Sequence, residues 1–293
     1  MVGRRPIQAL YYALPCLILL IGFIYYPLLA NVVYSLHSFS AFSPTQRFVG
    51  LDNYRTLLHD PVILRSLLNN TLYAVVSMVF QVGLGLVIAA ILEDRLLRRS
   101  SVFFRTLFFL PAVISMTVIA LLFTFFYNPQ YGLLNQFLDL LGLSGLKHAW
   151  LGDSKTAMGS VIAVSQWQSV GYIMMLFIVA IQNIPRELYE AAEIDGATRL
   201  QRFLFVTLPQ VKEMLFVTTV LTLTGAFTVF SEPYILTGGG PGHSSSVLGT
   251  YMYQTGFFKD QMGYASAIAT LIFAITLLIS VLQVKVFRTG KDA

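Results

Sequence analysis

Six polar or aromatic side chains stand close together in an otherwise apolar run: Ser165, Gln166, Trp167, Gln168, Ser169 and Tyr172, within "SQWQSVGY". Amides and hydroxyls exchange hydrogen bonds with a hydroxylated solute, and an aromatic face packs on its C–H surface, so the cluster suits a neutral sugar better than a charged ligand. Two further polar interruptions stand out. One is "LYEAAEIDGATRLQRFLFVTLP", which gathers Glu190, Glu193, Asp195, Arg199 and Arg202 in a chain that is only 11% charged. The other is "SEPYILTGGGPGHSSS", which carries Ser231 and Glu232. Nothing in the chain points to catalysis. His37, His59, His148 and His243 are scattered without ligand spacing, and the single cysteine, Cys16, lies inside an apolar run, so neither a disulfide nor a cysteine metal site forms within the chain. "GGGPGHSSS" lacks the lysine of a phosphate-cradling Gly-x-x-x-x-Gly-Lys-Ser/Thr loop, which argues against nucleotide binding. A membrane-embedded enzyme needs convergent acids or histidines within its helices, and a lone Glu232 does not supply them.

The elements that must position these groups follow from composition. Hydrophobic residues make up 56% of 293 positions and mean hydropathy is +0.71, against roughly 45–50% apolar residues in ordinary soluble domains. A helix needs about 20 mostly apolar residues to cross a bilayer. Six such runs lie within 7–34, 72–92, 106–127, 157–184, 214–231 and 261–284. They predict an all-α integral membrane protein, one domain over 1–293, with no large soluble part. The first run follows a basic start but is far longer than the roughly 7–15 apolar residues of a secretory signal, and reads as a retained span.

Charge sets the expected orientation, since basic residues near span ends tend to stay in the cytoplasm. Arg4, Arg5, Arg95, Arg98, Arg99, Arg105, Arg186, Arg199, Arg202, Lys212, Lys285, Arg288 and Lys291 fall on one set of loops, and the remaining six of nineteen basic residues on the other. Both termini and the segment 185–212 are therefore expected to be cytoplasmic. The net charge of +5 is explained by this bias and calls for no nucleic acid. "FVGLDNYRTLLHDPVILRSLLNN" and "GLLNQFLDLLGLSGLKHAW" read as short helices at the outer surface. Within 185–212, Pro185 suits a first helical turn and Glu187 with Glu190 favour its positive end. Gly196 marks a tight bend or a close backbone approach, a second helical segment follows, and Pro209 leads into the fifth run.

"EAAEIDGA", followed by Leu208 and Pro209, resembles the EAA signature of permease subunits in binding-protein-dependent ABC importers. "EPYILTGGGPGHSSSVLGTYMYQTGF" independently resembles the carbohydrate-uptake branch, on its maltose-permease-like first subunit, and "FVGLDNYRTLLHDP" adds a weaker match. The resemblance spans nearly the whole chain and implies the type I importer permease fold, with six transmembrane helices and a cytoplasmic coupling helix. It implies that Glu190, Ala191, Ala192, Asp195 and Gly196 seat that helix on a separate ATPase, which would hold the ATP and Mg. The implied partners are a second permease, two ATPase copies, an extracytoplasmic solute-binding protein, a sugar substrate and membrane lipid, in a bacterial or archaeal plasma membrane. Aligned without gaps, the family's sugar-contacting positions fall on Gln168, Ser169 and Tyr172, with Trp167 alongside, and in the fifth run on Thr222, Ala226 and Val229. Ala226 and Val229 depart from the polar pattern of maltose-binding members, so the substrate is open, with glycerol phosphate, a polyamine or an amino acid as alternatives. Ser231 and Glu232 stand where they could replace the missing contacts, or Glu232 is simply exposed at the interface. A non-transporting membrane scaffold explains less, since it has no use for the polar cluster or the helical knob.

Overall fold

A bilayer offers no partners to backbone N–H and C=O groups, so a chain this apolar satisfies them inside helices. The computed structural model describes residues 6–43, 45–94 and 100–289. Among them the one sheet is a two-stranded pairing, His37 opposite Phe48 and Ser38 opposite Arg47. Four helices among the described residues are long and apolar enough to cross a membrane: Tyr12–Tyr34, Pro61–Glu93, Ala157–Gln182 and Met262–Phe287. Two bent pairs, Ser101–Val113 with Met116–Phe126 at 97° and Arg199–Gln210 with Lys212–Thr228 at 73°, bring the count to six when each is taken as one span. The spans are numbered one to six in chain order below. Of the basic residues used to orient the chain, Arg4, Arg5, Arg95, Arg98, Arg99 and Lys291 lie outside the described residues.

Three departures from the sequence-based boundaries have local causes. The second span starts at Pro61, well before position 72, because Asp60 is extended (ψ 112°) and the polar residues Ser66, Asn69 and Asn70 sit inside the helix. The third is not continuous. Pro111 lacks an N–H, and Ile114 and Ser115 take extended backbone (ψ 138° and 134°) between its two halves. The fifth span closes at Thr228, where Val229 is extended (ψ 135°), and a separate short helix, Ser231–Thr237, follows. The two surface helices appear as Asp52–His59 and Leu133–Leu140.

The chain forms two compact units. The smaller holds the described residues up to Asp60 with Met252–Ala274. In it Asn31 Nδ2 donates to Ser266 O (3.2 Å) and Thr270 Oγ1 (3.1 Å), and a Cβ on Gly263 would stand 1.8 Å from His37 O. The larger holds Pro61–Tyr251 and the residues from Ile275 onward. Its main core packs Val82, Leu86, Ala89 and Leu92 of the second span on Met174, Phe177 and Ile178 of the fourth. Lipid is as apolar as leucine, so close contact rather than water exclusion joins such helices, and small residues permit it. Gly171 does so here: a Cβ would fall 1.8 Å from Phe108 O on the third span.

Candidate functional site: an exposed knob and a buried glycine loop

The segment 185–212 folds as a knob closed almost wholly by its own bonds. Pro185, at the N-cap, precedes the helix Arg186–Ile194, with Glu187 in its first turn. That helix ends as the residue pattern requires: Gly196 is left-handed (φ 75°), its N–H donates to Glu193 O (3.1 Å), and Ala197 N–H donates to Ala192 O (2.9 Å). These two bonds satisfy carbonyls that a helix end would leave free. A Cβ on Gly196 would meet nothing within 4 Å. Of the two sequence readings of this glycine, the structure therefore shows the bend and not a close approach within this chain. Thr198 starts the next helix with a reciprocal cap, accepting from Gln201 N (3.3 Å) while its own N–H donates to Gln201 Oε1 (2.7 Å). Arg202 pairs with Glu193 across the bend.

The knob's free face is apolar as well as charged. Ile194 is 86% exposed and Leu200 67%, while Glu190, Ala191 and Asp195 are exposed and Ala192 partly buried. Toward the spans, a cavity of about 780 Å³ separates it from Glu93, Asp94, Arg105 and Gln182. Arg105 pairs with Glu93, whose carboxylate also receives Gln182 Nε2 (3.3 and 3.4 Å), and Arg199 reaches Asp94 at 3.9 Å. Tyr189 and Thr207 hydroxyls bond at 3.0 Å.

The polar turn of the fourth span is unevenly buried. Ser165 and Gln166 are buried in the bundle, whereas Trp167 (47%) and Tyr172 (48%) are exposed, with Gln168 and Ser169 partly buried. Trp167 packs at 5.4 Å on Phe123, and Gln168 Nε2 donates to Ile114 O (3.2 Å), satisfying a carbonyl at the break in the third span. Gln168, partly buried, thus positions the third span. Thr222 lies on the fifth span. It is buried in the larger unit and its hydroxyl makes no hydrogen bond among the described residues. Ala226 and Val229 are buried with Tyr73, Ala74 and Phe227, which accounts for their apolar side chains. Ser231 is exposed, but Glu232 is not simply an interfacial acid. It is partly buried and its Oε1 accepts from Tyr73 OH at 3.4 Å.

Gly238 and Gly242 of the glycine loop are exposed, but the chain that follows them is built inward. Every residue from Ser244 to Tyr251 is buried. Two adjacent asparagines of the second span hold it: Asn69 Nδ2 donates to Ser244 O (2.9 Å) and Ser246 O (2.8 Å), and Asn70 donates to Ala226 O (2.7 Å) while accepting from Leu248 N (2.9 Å). Sequence reading missed both asparagines. The available signal was a pair of amides at the mouth of an apolar helix, where polar side chains are costly unless they are fully bonded.

With this geometry in view, the family described as "Binding-protein-dependent transport system inner membrane component" matches residues 81–288. The chain belongs to that family. It is 60% identical over 292 residues, the whole of both chains, to "Probable ABC transporter permease protein YurN" of Bacillus subtilis (strain 168). It is 34% identical to "Trehalose/maltose transport system permease protein MalF" of Thermococcus litoralis, covering 95% of this chain and 93% of that relative. In fold it is similar, with a TM-score of 0.84 at 23% identity over 98% of this chain and 99% of the other, to a chain in the crystal structure of a bacterial ABC transporter involved in the import of the acidic polysaccharide alginate. This is a multi-helix membrane permease of the type I importer fold, a transport component rather than a catalyst.

Proposed function

We propose that this permease forms part of the path of an ATP-driven sugar importer, in the plasma membrane of a bacterium or archaeon, with both termini and the knob in the cytoplasm. The observation that carries the sugar reading is the fourth span: a long, largely buried helix that leaves Trp167 and Tyr172 exposed, with Gln168 and Ser169 partly buried between them in the chain. Aromatic faces and neutral hydrogen-bonding groups match a sugar ring, and no Lys or Arg stands in that turn to bind a phosphate ester. The names of relatives agree, among them a multiple sugar-binding transport permease of Streptococcus mutans and a lactose transport permease of Rhizobium radiobacter.

In this reading the knob docks Ile194, Leu200 and the Ala191–Ala192 face onto an ATPase that holds the ATP and Mg, and one knob per permease calls for a second permease to engage two ATPases. ATP-driven closure of the ATPases would move the knobs, and the spans would rock to open the path toward an extracytoplasmic solute-binding protein. The test is to purify this chain with the products of neighbouring genes, reconstitute the complex in vesicles and measure uptake of neutral oligosaccharides, glycerol phosphate and polyamines with loaded receptor. ATP-dependent uptake confined to sugars is the expected result. Uptake of only a charged solute, or an active complex containing this permease alone, would overturn the reading.

A further inference from the structure

Tyr73 was singled out by no motif, yet it joins three elements of the larger unit. It projects from the second span, is 4% exposed, and its hydroxyl bonds Ser165 Oγ on the fourth span. On its other side it donates to Glu232 Oε1 at 3.4 Å, on the short helix that leads into the glycine loop. Ser165 is itself 1% exposed and stands two residues before Trp167, at the head of the turn read as the solute face. No ion pair to Glu232 occurs among the described residues, so its carboxylate depends on neutral donors: Tyr73, the nearby Ser165 hydroxyl and a backbone N–H.

The protons decide what this arrangement can do. A carboxylate only accepts, so the single proton of Tyr73 goes to Glu232 and the bond to Ser165 must be donated by the serine. The resulting chain runs Ser165 to Tyr73 to Glu232. The last contact is long for an O–H···O bond, whose usual range is about 2.5–3.0 Å, and is therefore the one that a small shift of the short helix breaks. When it breaks, the tyrosine proton is free to turn toward Ser165 and the polarity of that bond reverses. The far limb of the loop is held differently, by the three bonds of 2.8–2.9 Å that Asn69 and Asn70 make to Ser244 O, Ser246 O and Leu248 N, so the Glu232 contact is the adjustable one.

We infer that Tyr73 is a positioning residue of the transport path, linking the placement of the glycine-loop helix, through Glu232, to the placement of the solute-facing turn, through Ser165. This role rests on the importer reading above. The test uses the complete transporter in vesicles with loaded receptor, comparing wild type, Tyr73→Phe, Glu232→Leu, which removes the acceptor, the double variant, and Thr228→Val, whose hydroxyl bonds carbonyls of its own helix. The readout is solute moved per ATP hydrolysed, which a loss of folded complex alone does not change. Each single variant is expected to lower that ratio by about 3- to 10-fold, the factor set by one hydrogen bond, the double variant by no more than the larger single, and Thr228→Val not at all. Wild-type ratios in Tyr73→Phe and Glu232→Leu, or losses that simply multiply in the double variant, would overturn the role of Tyr73 while leaving the importer reading intact. Absence of any solute movement by the wild-type complex would overturn both.

Discussion

The knob and the glycine loop flank the two ends of the fifth span, and both turn on left-handed glycines: Gly196 in the knob, Gly238, Gly239 and Gly242 in the loop. They are stabilised differently. The knob's bonds lie mostly within the segment itself, from Glu193 with Gly196 to Thr198 with Gln201, and Ile194 and Leu200 stay in the open. The loop has local bonds too, such as Thr237 Oγ1 with Ser245 Oγ (2.7 Å), but it is also bonded by side chains 175 to 178 positions away, and everything from Ser244 to Tyr251 is buried. A segment held by its own bonds keeps its shape while offering a surface to another molecule. One held by distant side chains gives up its surface and becomes part of the frame.

The largest expected effect follows from the distant bonds. Asn70→Ala leaves the Leu248 N–H without a partner in a buried site, at a cost of about 1–3 kcal/mol, together with the lost bond to Ala226 O. The purified transporter should melt at a lower temperature and accumulate less in the membrane. Asn69→Ala should act in the same direction. Thermal melting in detergent and quantitative blotting of membranes measure this, and an unchanged melting point in Asn70→Ala would mean that the loop does not belong to the frame.

The same division decides what the sequence could disclose. Pro185, Glu187, Ala191, Ala192 and Gly196 announce a helix, its end and a bend by local rules, and the structure shows those features in order. The six apolar runs were equally legible, because membrane length and hydropathy are local quantities. Asn69, Asn70 and Tyr73 were not, because nothing near them indicates that their partners lie on the fourth span, on the fifth, or beyond it. The break at Ile114 and Ser115 also escaped, although Pro111 stood three residues before it: a proline in an apolar run is compatible with a kink or with a full break. The register drawn from the family resemblance marks Thr222 for the solute group, and nothing in the sequence near it announces that it is buried with its hydroxyl unbonded among the described residues.

Intermediate effects belong to the knob and to the open face of the fourth span. Gly196→Val forces a β-branched residue into the left-handed region, a strain of about 1–2 kcal/mol, with no neighbour to clash against. Membrane amount and melting temperature should stay close to wild type while binding of the proposed ATPase weakens by about tenfold or more. Gly196→Asn, which tolerates that backbone, should retain most of the binding. A drop in membrane amount as large as that of Asn70→Ala would erase the contrast between the two regions. Trp167→Ala removes a half-exposed aromatic face that packs on Phe123. Uptake should fall severalfold with assembly intact, and unchanged uptake would place the solute elsewhere.

Thr198→Ala should have the smallest effect, and it probes the local half of the comparison most directly. The threonine hydroxyl accepts from Gln201 N at 3.3 Å, a long bond at an exposed helix start. Losing an N-cap costs about 0.5–2 kcal/mol, and water can reach the released N–H here, which puts the expected cost at the lower end. The Thr198 backbone bond to Gln201 Oε1 at 2.7 Å remains available after the substitution, so half of the reciprocal cap survives. ATPase binding should weaken no more than about threefold, and Thr198→Asp should restore it, since a carboxylate both accepts the same bond and suits the positive end of the helix. Titration of the ATPase onto the purified permease pair resolves differences of that size. If Thr198→Ala lost as much binding as Gly196→Val, the knob would be a cooperative unit poised near unfolding, and its offered surface would depend on the ATPase to keep its shape.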